Sequence, residues 1–214
     1  MIEKYLSIIT NFGCHYSCPY CVVKHNHIDV PETTIEGLSN LRQSLIGYGC
    51  NIVSVSGGGD PLHDFGKHLD WYTKLFEILD EMNIPLEMHT SYLNSGFPMF
   101  QCKRVVYHLR NIVHLNNIKR MGSEIIRVVF VVTDDMTMDD IHMIADYVKN
   151  SKNIDELSFR QRIDDNYNTS YHLHDELKAG HKGDWWYIEQ NDYNLYYAEN
   201  KVYTKYSDFS VRKE

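Results

Sequence analysis

The chain has 214 residues, which suits one domain with its own core and no need of disulfide staples. A net charge of −8 excludes general, sequence-blind binding to nucleic acid, which needs clustered Lys and Arg. No apolar run approaches the roughly 20 residues that span a bilayer, and Met1–Tyr5 lacks the basic patch and apolar stretch of a signal peptide, so a cytoplasmic protein is expected.

In chain order, Tyr5–Thr10 reads as a buried strand, followed by a Gly- and Cys-containing loop from Asn11 to about Val30. Thr34 is placed to cap a helix whose Leu38, Leu41, Leu45 and Ile46 recur at helical spacing to about Tyr48. Asn51–Ser56 is a second strand, ending in Gly57-Gly58-Gly59. A helix follows from about Lys67 to Met82, with Leu69, Tyr72, Leu75, Phe76 and Leu79 on one face. Further strands are predicted at Ile84–Thr90, Arg104–His108, Ile125–Thr133 and Glu156–Arg160, with a helix at Asp139–Lys149 before the last. Strands alternating with helices imply a parallel sheet. Six repeats are too few to close an eight-stranded barrel, so an α/β fold with an open, partial (βα)6 barrel is expected over residues 1–163. Residues 164–214 change character, and aromatic Asp184–Tyr203 predicts a small antiparallel hairpin packed on that core.

The cysteines are Cys14, Cys18, Cys21, Cys50 and Cys102. An odd number, with the first three inside one eight-residue segment, does not form a disulfide framework and points to a metal site. Three thiolates on a short loop can hold three irons of a cubane cluster and leave the fourth open. Zinc is the alternative, with Cys14, Cys18, Cys21 and either His25 or His27 as a tetrahedral set. The glycine turn after the second strand could be a tight turn only; it lacks the Lys-Ser/Thr of a phosphate loop.

Cys14-x3-Cys18-x2-Cys21 after the first strand, with Tyr20 just before the last cysteine, resembles the radical S-adenosylmethionine (SAM) superfamily. Ser56-Gly57-Gly58-Gly59-Asp60-Pro61 resembles that family's GGEP motif, departing from it with a third Gly where Glu is usual and with Asp60 after it. The resemblance covers about residues 5–162. It implies a [4Fe–4S] cluster on Cys14, Cys18 and Cys21, and S-adenosylmethionine bound by Tyr20, Gly57, Gly58, Gly59, Asp60, Thr90, Ser91 and Thr133. It further implies an external flavodoxin- or ferredoxin-like reductant, and hydrogen abstraction from a substrate by a 5′-deoxyadenosyl radical.

No cysteine follows Cys102, so a C-terminal auxiliary cluster has no ligands. The leading expectation is a small, anionic or nucleotide-type substrate, as in phage-type base modification. A glycyl-radical activating enzyme with a protein partner and a zinc-binding interaction module are the alternatives. Met88–Ser123 contains Lys103, Arg104, Arg110, Lys119 and Arg120 but no Asp or Glu, which is either ordinary surface charge or a positive zone facing an anionic ligand. Arg160 is placed either to meet such a ligand or to close the barrel edge by a salt bridge. Trp185 and Trp186 are read as hairpin core.

Overall fold

Nine strands form one open sheet in the order β7-β6-β5-β4-β3-β2-β1-β8-β9 in the computed structural model, which describes residues 3–26, 28–94, 96–164, 166, 168–180, 183–189 and 195–209. The strands are β1 (Tyr5–Thr10), β2 (Ile52–Gly57), β3 (Leu86–Thr90), β4 (Arg104–Leu109), β5 (Ile125–Val131), β6 (Glu156–Arg160), β7 (Trp186–Ile188), β8 (Leu195–Ala198) and β9 (Lys201–Tyr203). All neighbouring pairs are parallel except β8 with β9. The first six strands lie side by side in sequence order, so the ends of all six that carry the predicted site residues share one edge of the sheet.

The helices are α1 (Val22–His25), α2 (Leu41–Tyr48), α3 (Leu69–Met82), α4 (Met138–Asn150) and α5 (His174–Ala179). None of the described helices is long and apolar enough to cross a membrane. Local signals explain their limits. Gly49 and Asn83 end α2 and α3 in left-handed conformations with φ of +64° and +52°. Thr137 and Asp140 form a reciprocal capping box at the start of α4. Thr34 caps only a 3-10 turn at Glu36–Leu38, through its Oγ1 and the Gly37 N–H, and α2 begins later at Leu41. The expected βα alternation is also incomplete. β3–β4 and β4–β5 are joined by segments with 3-10 turns at Met99–Gln101 and Ile112–Asn117, and no described residue in either segment is α-helical.

Period-2 alternation gives the sheet two unlike faces. Leu6, Ile8, Val53, Val55, Leu86, Met88, Val105, Tyr107, Ile126, Val128, Leu157 and Phe159 pack with Leu41, Leu45, Trp71, Leu75, Ile141 and Ile144 of the helices in one core. Burying each such side chain contributes roughly 1.5–3 kcal/mol. The opposite face carries Ser7, Ser54, Glu87, His89, Arg104, His108, Arg127, Glu156, Ser158 and Arg160.

The tail departs from the expected single hairpin. Trp186–Ile188 extends the sheet beside β6, whereas β8 pairs with β1 at the far side, and only β8–β9 forms a hairpin. Glu199 and Asn200 turn that hairpin with φ of +44° and +65°. They also hold the α2 entry, since Thr34 donates to the Glu199 carboxylate from both N–H and Oγ1, at 2.8 and 2.7 Å. Trp185 is core, with its indole N–H donating to the Leu177 carbonyl at 2.9 Å, while Trp186 is exposed. A second, smaller core joins Tyr196, Ala198 and Phe209 of the tail to Ile9, Ile28 and Val30, with Val22, Val23, Tyr203 and Tyr206 packed around it.

Candidate functional site at the C-terminal edge of the sheet

Six strand ends meet at one edge, where parallel α/β sheets bind ligands. The cysteine loop leaves β1, the glycine turn leaves β2, and Thr90-Ser91 leaves β3. Arg110, Thr133 and Arg162 follow β4, β5 and β6.

The glycine turn grips the cysteine loop directly. The Gly58 N–H donates to the Thr10 carbonyl at 2.7 Å and the Asp60 N–H to the Gly13 carbonyl at 2.8 Å. A Cβ on Gly59 would lie 2.1 Å from the Gly13 carbonyl oxygen, and one on Gly58 would lie 2.6 Å from Val30 Cγ2. These glycines serve close approach of protein to protein. The Gly57 carbonyl accepts from the Tyr206 hydroxyl at 3.1 Å, so the tail touches the same turn.

Asp60 fastens the next strand end. Its buried carboxylate accepts from the Leu62 N–H at 3.0 Å, the Thr90 hydroxyl at 2.7 Å and the Ser91 N–H at 2.6 Å. Asp60, Thr90 and Ser91 are thus brought together by bonds to one another. His15 Nε2 stands 3.9 Å from Asp60 Oδ2, with its ring against Tyr16 and Tyr92. Burial, with His63 and Arg110 nearby, lowers the His15 pKa against the pull of Asp60.

Cys14 is exposed, and Cys18 and Cys21 are half-buried. The Cys21 carbonyl accepts from the His25 N–H at 3.0 Å and so begins α1. Burial, together with the charges of Cys14 and Cys21, raises the Cys18 thiol, while Arg110 and the Tyr20 hydroxyl oppose that rise. Burial and Cys18 push Tyr20 up to about 12. Among the described residues, no three His, Cys, Asp or Glu side chains are gathered as a metal-ligand set. The loop therefore offers three soft sulfur donors within electrostatic reach of one another, without a closed cage; that chemistry suits an iron–sulfur cluster. His25 is exposed at the end of α1, and His27 lies outside the described residues.

Thr133 and Tyr20 face each other across a cleft of about 260 Å3, lined also by Pro19, Asp134, Asp135 and Arg162. Arg162 pairs with Asp134 at 2.7 Å. The positive zone expected from Met88–Ser123 is not a continuous patch. Lys103 pairs with Glu3, Arg104 with Glu87 and Glu156, and Arg120 with Asp155, all near the opposite strand ends. Of the cations named in that zone, Arg110 stands at the site, 3.7 Å over the Tyr16 ring.

The polar face below the site went unread as a unit in the sequence. Glu87 accepts from Arg104 Nη1 at 2.6 Å, and His89 Nε2 lies 2.7 Å from Glu87 Oε1. His89 Nδ1 is in turn 3.0 Å from His108 Nε2. Burial pushes the Glu87 carboxyl up, but His89 and Arg104 together outweigh it and hold the group down at about 2. Burial, then the charges of His89 and Arg160, lower His108 well below the ordinary histidine range. The signal was the spacing Glu87-x-His89 beside Arg104-x3-His108, charged residues at period 2 in strands of an otherwise apolar parallel sheet. Arg160 lies on this face and makes no ion pair among the described residues.

No protein-family profile matches the chain, and no curated protein matches its sequence. Its fold matches solved structures. Over 88% of this chain and 48% of the other, it resembles SuiB of Streptococcus suis, solved bound to S-adenosylmethionine, with a TM-score of 0.60 at 14% identity. A second match, to a proposed dihydrodipicolinate synthetase from Pseudomonas aeruginosa, has a TM-score of 0.46 at 10% identity over 88% of this chain and 64% of that one. The chain thus spans about half the length of SuiB, and what the two share is the open, mostly parallel α/β fold.

Proposed function

We propose that this chain is a radical SAM enzyme acting on a small, anionic or nucleotide-type substrate. The observation that carries the reading is the clasp between the Cys14–Cys21 loop and the Gly57–Asp60 turn, at the strand edge where such sheets bind ligands. The likeness of the fold to SuiB, which was solved with S-adenosylmethionine, supports it.

In this reading the sheet is a partial (βα)6 barrel over residues 1–163, and its polar face is the barrel interior. Cys14, Cys18 and Cys21 hold a [4Fe–4S] cluster. Tyr20 and Thr133, which line the cleft, contact the cofactor together with the Gly57–Asp60 turn, Thr90 and Ser91 at the neighbouring strand ends. Held there and reduced by a flavodoxin- or ferredoxin-like partner, such a cluster would supply one-electron chemistry for the reductive cleavage of S-adenosylmethionine and hydrogen abstraction from substrate. The chain's own part is to position and to exclude water. Asp60 holds Thr90 and Ser91 in place, the glycine turn fixes the cysteine loop, and the tail packs beneath that loop. Tail strands built into both sides of the sheet favour a small-molecule substrate over a docked protein partner.

The test is anaerobic purification with metal analysis, followed by dithionite and S-adenosylmethionine. Expected are about four irons per chain and release of 5′-deoxyadenosine. Replacing Cys14, Cys18 and Cys21 by Ala abolishes both, whereas Cys50→Ala retains them. Stoichiometric zinc, with no iron after reconstitution, sinks the proposal.

A further inference from the structure

The proposed chemistry leaves one line of titratable groups unused. Glu87, His89 and His108 run across β3 and β4 on the polar face, joined by contacts of 2.7 and 3.0 Å. Ser54 lies opposite Glu87 on β2, and Ser56 follows it. Arg104 anchors Glu87 from β4, and its Nη1 also donates to the Tyr5 hydroxyl oxygen at 3.1 Å. On β5, Val129 is the partner of His108, and Arg127 is paired with Glu156. On β6, Ser158 continues the His108–Val129 row, and Arg160 stands one step nearer the site.

Among the described residues, the Ser158 hydroxyl and the Arg160 guanidinium lack a hydrogen-bond or ion-pair partner, respectively. Ser158 is fully buried, yet its hydroxyl has no hydrogen bond among the described residues. Arg160 is exposed and makes no ion pair among the described residues. An orphaned hydroxyl and a free guanidinium on the face that carries His108 fit a bound polar molecule.

We propose that His108 is the substrate-facing end of a proton relay, accepting a proton from an ionisable O–H or N–H of a small-molecule substrate and passing a proton on to His89, while Arg160 stabilises the anion that remains. The relay rests on the enzymatic reading above only for what the transfer serves.

The protons balance along the line. With Glu87 ionised, His89 donates its Nε2–H to Glu87 Oε1 and keeps a lone pair on Nδ1. His108 donates its Nε2–H to that lone pair, which leaves His108 Nδ1 as the free acceptor. When the substrate's proton binds Nδ1, the Nε2–H bond of His108 breaks and a new Nδ1–H bond forms on His89. The positive charge comes to rest on His89, against the Glu87 carboxylate, and the negative charge stays on the substrate near Arg160. His108 is neutral before and after, and only its tautomer changes. That behaviour suits a ring whose burial and cationic neighbour Arg160 both disfavour charge.

The test is long-range 1H–15N NMR of the histidine side chains of the full-length protein between about pH 5 and 8, the histidine range. His108 is expected to stay neutral and to move its N–H from Nε2 to Nδ1 as His89 gains charge. His89→Gln should pin His108 in one tautomer, and Arg160→Gln should move the switch to higher pH, because it removes a repelling charge. His108 becoming charged itself, or keeping one tautomer while His89 titrates, overturns the relay. An intact switch in a protein that takes up no iron would sink the proposed function and leave the relay standing. A missing switch in a protein that cleaves S-adenosylmethionine would do the reverse.

Discussion

Asp60→Ala should unfasten the site and cost much of the fold's stability. The carboxylate accepts three hydrogen bonds, from Leu62 N–H, Thr90 Oγ1 and Ser91 N–H, at 2.6–3.0 Å. Leu62 and Thr90 are buried, at 0% and 2% exposure, so their donors would have no water to turn to. Each stranded buried donor costs about 1–3 kcal/mol. Ser91 is only half-buried, and water can meet its N–H. The loss is therefore about 2–6 kcal/mol, against a typical total of about 5–15 kcal/mol. Asp60→Asn keeps one oxygen and sets an amide N–H against a remaining donor, so it should cost about 1–3 kcal/mol. Urea unfolding measures both: with a slope of about 3 kcal/mol/M, the Ala variant should unfold about 0.7–2 M earlier at unchanged slope. An Ala variant within about 0.5 kcal/mol of the parent, the range of ordinary surface changes, would refute the clasp and return Asp60 to the role of a ligand contact.

Other perturbations read other parts of the same architecture. Gly59→Ala should shift the cysteine loop, because its Cβ would meet the Gly13 carbonyl oxygen at 2.1 Å; faster amide exchange across residues 11–21 would report it, and unchanged exchange would show that the loop is held elsewhere. Glu87 should make the protein acid-labile. Its folded carboxyl is held at about 2 against an ordinary 4.5, so its stabilisation is full above about pH 4.5 and is lost as pH falls toward 2, on the order of 3 kcal/mol. Glu87→Gln should flatten that acid limb of the stability curve, at the cost of leaving Arg104 less well paired at neutral pH. Deleting residues 195–214 should lower the melting temperature and loosen α1, since it bares the β1 edge and removes Tyr196, Ala198 and Phe209 from beneath the cysteine loop; an unchanged melting temperature would mark the tail as an appendage.

Much of this architecture is legible in the sequence, for identifiable reasons. The β1–β6 strands are short apolar runs bounded by turn residues, and their sequential order follows from alternation with helices. The cysteine spacing and the glycine turn are local signals, and both lie at strand ends as expected. What stayed hidden is long-range. Nothing in Trp186–Ile188 or Leu195–Ala198 states that one strand joins β6 and the other β1, because an aromatic β-prone run suits any open edge equally well. The fastening role of Asp60 is not legible, because its three partners lie 2, 30 and 31 residues away. The general βα alternation does not extend to β3–β4 and β4–β5 for a different reason: connection length constrains the crossover but does not oblige it to be helical.

The two-faced sheet carries the wider argument. Parallel sheets are ordinarily covered by apolar layers on both faces, and their strands read as continuous hydrophobic runs. Here β3, β4, β5 and β6 alternate instead, with Glu87, Arg104, Arg127 and Glu156 on the side away from the helices. Covering such a face with helices would mean desolvating ion pairs, whose penalty can exceed their attraction. The chain meets that problem locally, by pairing Arg104 with Glu87 and Glu156, and Arg127 with Glu156, near the closed strand ends. Toward the other end, among the described residues, the pairing thins: His108 is joined to His89, the Ser158 hydroxyl is unpartnered, and Arg160 makes no ion pair. The gradient from satisfied to unsatisfied groups runs toward the cysteine loop and the glycine turn. A face built only for stability would have no reason to leave its polar groups unpaired at the end where the loops converge, whereas a face that receives a polar molecule there requires it.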